Sequence, residues 1–228
     1  MGYLYGLRDD RFDRAKEDCP AARAQPGRRF THVTRKPMAN RDYLTIVSGL
    51  PRSGTSMMMR MLDTGGLPAL IDNVRVADED NPGGYYEFEP VKKTREDASW
   101  LRSSAGKVVK MVYRLLYDLP AGHSYRVIMM RRKLDEVIKS QEVMLERSGK
   151  AGGKLSDEKL KQMFADELAK VEKWMDERPH FKYIEIDYNE MVSDPVPLAA
   201  RLNAFLDGGL DEQAMAGVVN PSLYRQRK

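Results

Sequence analysis

The chain has 228 residues, 42% hydrophobic and 32% charged, a length that suits one sizeable domain or a domain with an extension. Its 38 basic and 34 acidic residues leave a net charge of +4 and an isoelectric point near 9.0; this fits a local anion pocket better than a nucleic-acid-coating surface. A single cysteine, Cys19, rules out an internal disulfide and points to a reducing compartment. No apolar run approaches the ~20 residues of a bilayer span and the charged N-terminus has no signal-peptide segment, so a cytoplasmic location with no membrane partner is expected.

Residues 1–40 mix charges and prolines without a period and read as an N-terminal arm ahead of one α/β domain over 41–228. LTIVSG, a short apolar run ending in Gly49, predicts a buried strand and a tight turn. The segment from Thr55 predicts a helix stopped by Gly65 and Gly66. ADEDNPGGYYEFEP is rich in turn residues, and VKKTREDASWL after it reads as a helix. GKVVKMV and YRVIMM are two more buried-type strands. KLDEVIKSQEVMLER predicts a helix with Leu134, Val137, Ile138, Gln141 and Leu145 on one face. A glycine-rich loop follows, and Ser156 stands where it can cap a long helix striped with Leu160, Phe164, Leu168 and Val171. FKYIEID is a last strand, and PLAARLNAFL a last helix. Strands alternating with helices, and apolar on both faces, predict a three-layer fold with a mainly parallel central sheet. Ligands of such sheets sit beyond the carboxyl ends of the strands, where Gly49–Thr55, Lys110–Val112, Arg131–Arg132 and Asp187–Tyr188 fall.

The most informative stretch is SGLPRSGTSMMMR, Ser48 to Arg60. A strand, a Gly-rich turn and a helix aim backbone N–H groups at one point, at the positive end of a helix dipole. Gly49 and Gly54 permit close backbone approach, Ser53, Thr55 and Ser56 add hydroxyls, and Arg52 adds a cation. The pattern is that of a P-loop, except that a nucleoside-triphosphate site needs a lysine where Thr55 stands, then a Ser/Thr for magnesium. Asp187 is the one imperfect candidate for a magnesium-holding aspartate at a strand end. The site is therefore expected to hold an anion without an obligatory metal.

GLPRSGTS resembles the 5′-phosphosulfate loop of sulfotransferases that use 3′-phosphoadenosine 5′-phosphosulfate (PAPS). That family also places an arginine at the end of a later strand, and a serine eight residues on, against the 3′-phosphate. In YRVIMMRRKLDEVIKSQ, Arg132 and Ser140 have that spacing, and an arginine offers a planar fork of donors to a phosphate. DYNEMVSDP resembles the family's Tyr-Glu-Asp segment, which implies that Tyr188 lies near the adenine. The tail NPSLYRQRK, with Arg225, Arg227 and Lys228, is a further candidate contact. The resemblance covers about residues 43–195. It implies a P-loop NTPase-like fold, PAPS as co-substrate, and adenosine 3′,5′-bisphosphate as product.

The implied chemistry is sulfonate transfer to an unidentified hydroxyl or amine, on a small molecule or a glycan. It needs in-line placement, charge stabilisation on the departing phosphate and a base. Arg52 serves the phosphate, and Lys110 matches a strand-end lysine that balances charge at the sulfonate. Many family members carry a histidine two residues after that lysine, whereas this chain has Val112. His32, His123 and His180 read as surface residues. Glu87 or Glu89, walled by Tyr85, Tyr86 and Phe88, is the expected base. The loops Asp78–Glu89 and Ser148–Lys154 are the expected acceptor walls. Two other readings compete: a P-loop small-molecule kinase, and a non-catalytic relative that keeps the nucleotide fold.

Overall fold

Strand β1 (Leu44–Gly49) is buried along its whole length, as an apolar run covered on both faces must be. The computed structural model describes residues 41–72, 74, 84–147, 149 and 155–220. The expectations for the N-terminal arm, for residues 78–83, for nearly all of the 148–154 loop and for the basic tail lie outside the described residues. Three further strands pair in parallel with one another or with β1: β2 (Val108–Lys110), β3 (Tyr125–Arg131) and β4 (Phe181–Asp187). Their order is β2-β1-β3-β4.

Helices cover both faces. Alternate residues of the sheet divide between two cores. Val47, Val108, Ile128 and Ile186 pack with helices α1 (Thr55–Thr64), α4 (Tyr188–Ser193), α5 (Pro195–Phe205) and α6 (Glu212–Gly217). Ile46, Val109, Val127 and Met129 pack with α2 (Leu134–Arg147) and α3 (Asp157–Asp176). This is a three-layer α/β arrangement, a parallel sheet between two layers of helices. Helix α1 contributes Met58, Met59, Met61 and Leu62, all fully buried; at roughly 1.5–3 kcal/mol each, they fasten the start of α1, and hence the preceding turn, to the sheet.

The strand order locates the site. From β1 the chain moves outward to β2, then crosses to β3 and β4 on the other side. The order therefore reverses between β1 and β3, and in open α/β sheets the ligand crevice lies beyond the carboxyl ends of the strands at such a reversal. The β1–α1 turn and the β3–α2 junction flank that crevice.

Three local expectations are corrected. VKKTREDASWL forms two short 3₁₀ segments, Glu89–Lys93 and Ser99–Ser103, instead of one helix. Side chains compete for its backbone: the Thr94 hydroxyl donates to the Val91 carbonyl at 2.8 Å, and the Asp97 carboxylate accepts from the Ser99 N–H at 2.9 Å. Ser156 occupies the cap position of α3, but its hydroxyl makes no capping bond; Asp157 and Glu158 in the first turn complement the dipole instead. Gln141, on the same face of α2 as Val137 and Ile138, donates from Nε2 to the Pro51 carbonyl at 3.2 Å. Asp187, the magnesium candidate, caps α4: its Oδ1 accepts from the N–H groups of Asn189 and Glu190 at 2.7 and 3.0 Å. His123 and His180 pack beside Tyr125 at the amino ends of the strands, the opposite end from the crevice.

Candidate functional site

The turn between β1 and α1 is built on two unusual glycine positions. Gly49 has φ 144°, and a Cβ there would lie 2.8 Å from both the Met130 carbonyl oxygen and Ser53 Oγ. Gly54 has φ 95°, and its Cβ would come within 2.3 Å of the Tyr188 ring. Only glycine fits either place. Arg52 adopts φ 72°, a left-handed conformation costing a non-glycine residue roughly 1–2 kcal/mol, so its surroundings must hold it there.

Three neighbours do. Arg132, just past the end of β3, donates from Nη1 to the Arg52 carbonyl at 3.0 Å. Ser140 on α2 accepts from Arg52 Nε at 2.9 Å. Gln141, the next residue, reaches the Pro51 carbonyl. Thus Arg132 and Ser140, eight residues apart in sequence, meet the same turn at its Arg52. The guanidinium of Arg132 also lies 4.5 Å from the centre of the Tyr188 ring, a cation–π stack, and the Cδ2–Cε2 edge of that ring lies against Gly54. Tyr188 is buried and acts as a strut between the loop and Arg132.

Ser53 is 1% exposed, and its Oγ has no hydrogen-bond partner among the described residues. Such a group is costly to leave unsatisfied, which fits a turn shaped around a polar ligand. Ser56, by contrast, donates its hydroxyl to the Tyr85 carbonyl at 3.3 Å, and Thr55 is the first residue of α1. A cavity of about 370 Å³ opens beside the turn, lined in part by Leu50, Ser53, Met130, Arg131 and Arg132. In that lining Arg131 is paired with Glu172 and Glu185, and Arg132 with Glu136 at 2.9 Å.

On the β2 side, Lys110 donates from Nζ to the same Tyr85 carbonyl and lies 3.9 Å from Glu87 Oε1. The backbone around Glu87 is tied to Asp72, whose N–H donates to the Glu87 carbonyl at 3.1 Å and whose Oδ2 accepts from the Glu89 N–H at 2.5 Å. The two candidate bases thereby separate. Glu87 has a 22% exposed side chain facing Lys110, with Lys92 at 4.0 Å. Glu89 is 48% exposed and pairs with Lys92 at 2.5 Å. Among the residues sequence reasoning did not single out are Glu136, Asn189 and Asp72. Arg132 and Glu136 stand four residues apart across the β3–α2 junction, a spacing visible in sequence; the other two contacts exist only once α4 and the 84–89 segment are placed.

No family model matches the sequence, and no curated protein matches it. Among solved structures, the chain is similar to the sulfotransferase domain from the Synechococcus PCC 7002 olefin synthase, at 13% identity over 87% of this chain and 92% of that one, with a TM-score of 0.49. It is also similar to the sulfotransferase domain from the curacin biosynthetic pathway, at 15% identity over 83% and 93%, with a TM-score of 0.46. A third similar structure is a sugar kinase from Janibacter sp. HTCC2649, at 15% identity over 79% and 97%, with a TM-score of 0.38. These likenesses concern the fold. The chemistry is argued from this chain's own residues.

Proposed function

We propose that the chain is a PAPS-dependent sulfotransferase acting on a hydroxyl or amine acceptor. The observation that carries this reading is the meeting of Arg132 and Ser140 with the Arg52 turn, at 3.0 and 2.9 Å. Donors for a 5′-phosphosulfate and donors for a 3′-phosphate then border one crevice, close enough for a single nucleotide to bridge them. In this reading the N–H groups of residues 53–56, with Arg52, hold the 5′-phosphate, and Arg132 and Ser140 hold the 3′-phosphate. Tyr188 borders the nucleoside, and Lys110 faces the sulfonate.

Chemically, the acceptor oxygen or nitrogen forms a bond to sulfur as the bond from sulfur to the 5′-phosphate oxygen breaks. The electron pair of that bond leaves on the phosphate, where Arg52 and the turn N–H groups stabilise the charge. Glu87 takes the acceptor proton, and its distance from Lys110 keeps base and sulfonate-side cation on one side of the crevice. A kinase reading would need the loop lysine in whose place Thr55 stands, and Asp187, the strand-end carboxylate considered for magnesium, uses its Oδ1 to cap α4.

Thermal unfolding with added nucleotide tests the donor class. Adenosine 3′,5′-bisphosphate should raise the melting temperature without a metal, and ADP should do so weakly. A magnesium-dependent shift with ADP, and none with the bisphosphate, would replace this reading by the kinase one.

A further inference from the structure

Arg132 is held on three sides, and one of its holders has no role in the scheme above. Glu136, in the first turn of α2, is 1% exposed. Its Oε2 accepts from Arg132 Nε at 2.9 Å, and its Oε1 accepts from Asn189 Nδ2 at 3.0 Å. Asn189 is fixed in turn by the Asp187 cap, which accepts its backbone N–H at 2.7 Å. The carboxylate therefore links three elements at the mouth of the crevice: the β3–α2 junction, α2 itself and the start of α4.

Resting on the proposed donor reading, we propose that Glu136 is a positioning residue that sets Arg132 to recognise the 3′-phosphate of the nucleotide. A guanidinium is planar, so a bond at Nε, a bond at Nη1 and a ring against its face together determine where its remaining edge points. Of these three constraints, the Nη1 bond goes to the turn and the ring belongs to Tyr188. Glu136 supplies the third, at Nε. Stability alone is a poor reason for this pair, because a buried ion pair can often be replaced by apolar groups at no loss. A carboxylate beside a phosphate site is also electrostatically unfavourable for binding the phosphate. The two effects have opposite signs, and this makes the idea testable: charge alone predicts tighter phosphate binding when Glu136 is neutralised, whereas positioning predicts weaker binding.

The measurement is the ratio of Kd for adenosine 5′-monophosphate to Kd for adenosine 3′,5′-bisphosphate, by calorimetry on the full chain. Glu136→Leu should reduce that ratio by about tenfold to a hundredfold, the worth of a hydrogen bond to a charged group, because the bisphosphate loses more affinity than the 5′-monophosphate. Glu136→Gln keeps an acceptor for Arg132 Nε and can face an inverted Asn189 amide, so it should recover most of the ratio. An unchanged or increased ratio in Glu136→Leu would overturn the proposal. Should that variant fail to fold, Asn189→Ala decides: a several-fold drop in the ratio supports the positioning role, and an unaltered ratio refutes it. Failure of the donor reading looks different, because the wild-type ratio would then be near one, or indifferent to Arg132→Ala.

Discussion

Replacing Gly54 by alanine perturbs the site at the point where backbone, Tyr188 and Arg132 meet. Two costs add. The residue sits at φ 95°, ψ 13°, a left-handed conformation that costs an alanine roughly 1–2 kcal/mol. The new methyl would also stand 2.3 Å from Cδ2 and 3.0 Å from Cε2 of Tyr188, distances no carbon pair tolerates. The ring cannot swing aside cheaply, because it is buried and carries the Arg132 guanidinium on its face. Overpacking of this kind costs about 1–3 kcal/mol, so the total is about 2–5 kcal/mol. Gly66→Ala is the matched control. Gly66 has φ 102°, and a methyl added there would meet nothing within 4 Å, so it should show the backbone cost alone. Urea unfolding of the two variants isolates the steric part, and titration with adenosine 3′,5′-bisphosphate should show weakened binding for Gly54→Ala only. Equal stabilities for the two variants, with unaltered bisphosphate affinity in Gly54→Ala, would refute the strut role given to Tyr188.

Other expectations follow from the same geometry. Glu87→Gln should lower sulfonate transfer by about 10²–10⁴-fold, the usual worth of a general base, with bisphosphate affinity kept; Glu89→Gln should stay within a few-fold of wild type. Labelled sulfonate passed from PAPS to a panel of phenols, alcohols and amines reads both, and equal losses would remove the distinction between the two carboxylates. Burial pushes the Tyr125 hydroxyl well above its ordinary value of 10.0, where it donates to the Pro120 carbonyl at 2.8 Å. Its contribution to stability is then fully present below about pH 10 and is lost as the pH rises further, because the unfolded chain deprotonates first. Melting temperatures between pH 8 and 11 should fall above pH 10, less steeply in Tyr125→Phe; identical slopes would contradict this.

Much of the sheet was legible because its strands are short apolar runs, and both core faces could be read from LTIVSG, VVK and YRVIMM. The turn was legible because Gly49 and Gly54 bracket an arginine between a strand and a helix. Less readable were features that depend on distant partners. The 3₁₀ segments after Phe88 arise from side-chain bonds by Thr94 and Asp97, which periodicity does not register. The face shared by Val137, Ile138 and Gln141 was legible, but the bond from Gln141 to the Pro51 carbonyl depends on where the β1–α1 turn lies. Glu87 and Glu89 were inseparable in sequence, since what parts them is the tether to Asp72 and the distance to Lys110. The pairing of Asn189 with Glu136 spans 53 positions and leaves no local trace.

The central claim is that one nucleotide bridges the β1–α1 turn and the end of β3. A crystal structure with adenosine 3′,5′-bisphosphate tests it most directly. The account predicts the 5′-phosphate on the N–H groups of residues 53–56 and the 3′-phosphate within hydrogen-bond reach of Arg132 and Ser140. A bisphosphate bound with its 3′-phosphate in solvent, or seated away from the Gly49–Gly54 turn, would contradict it.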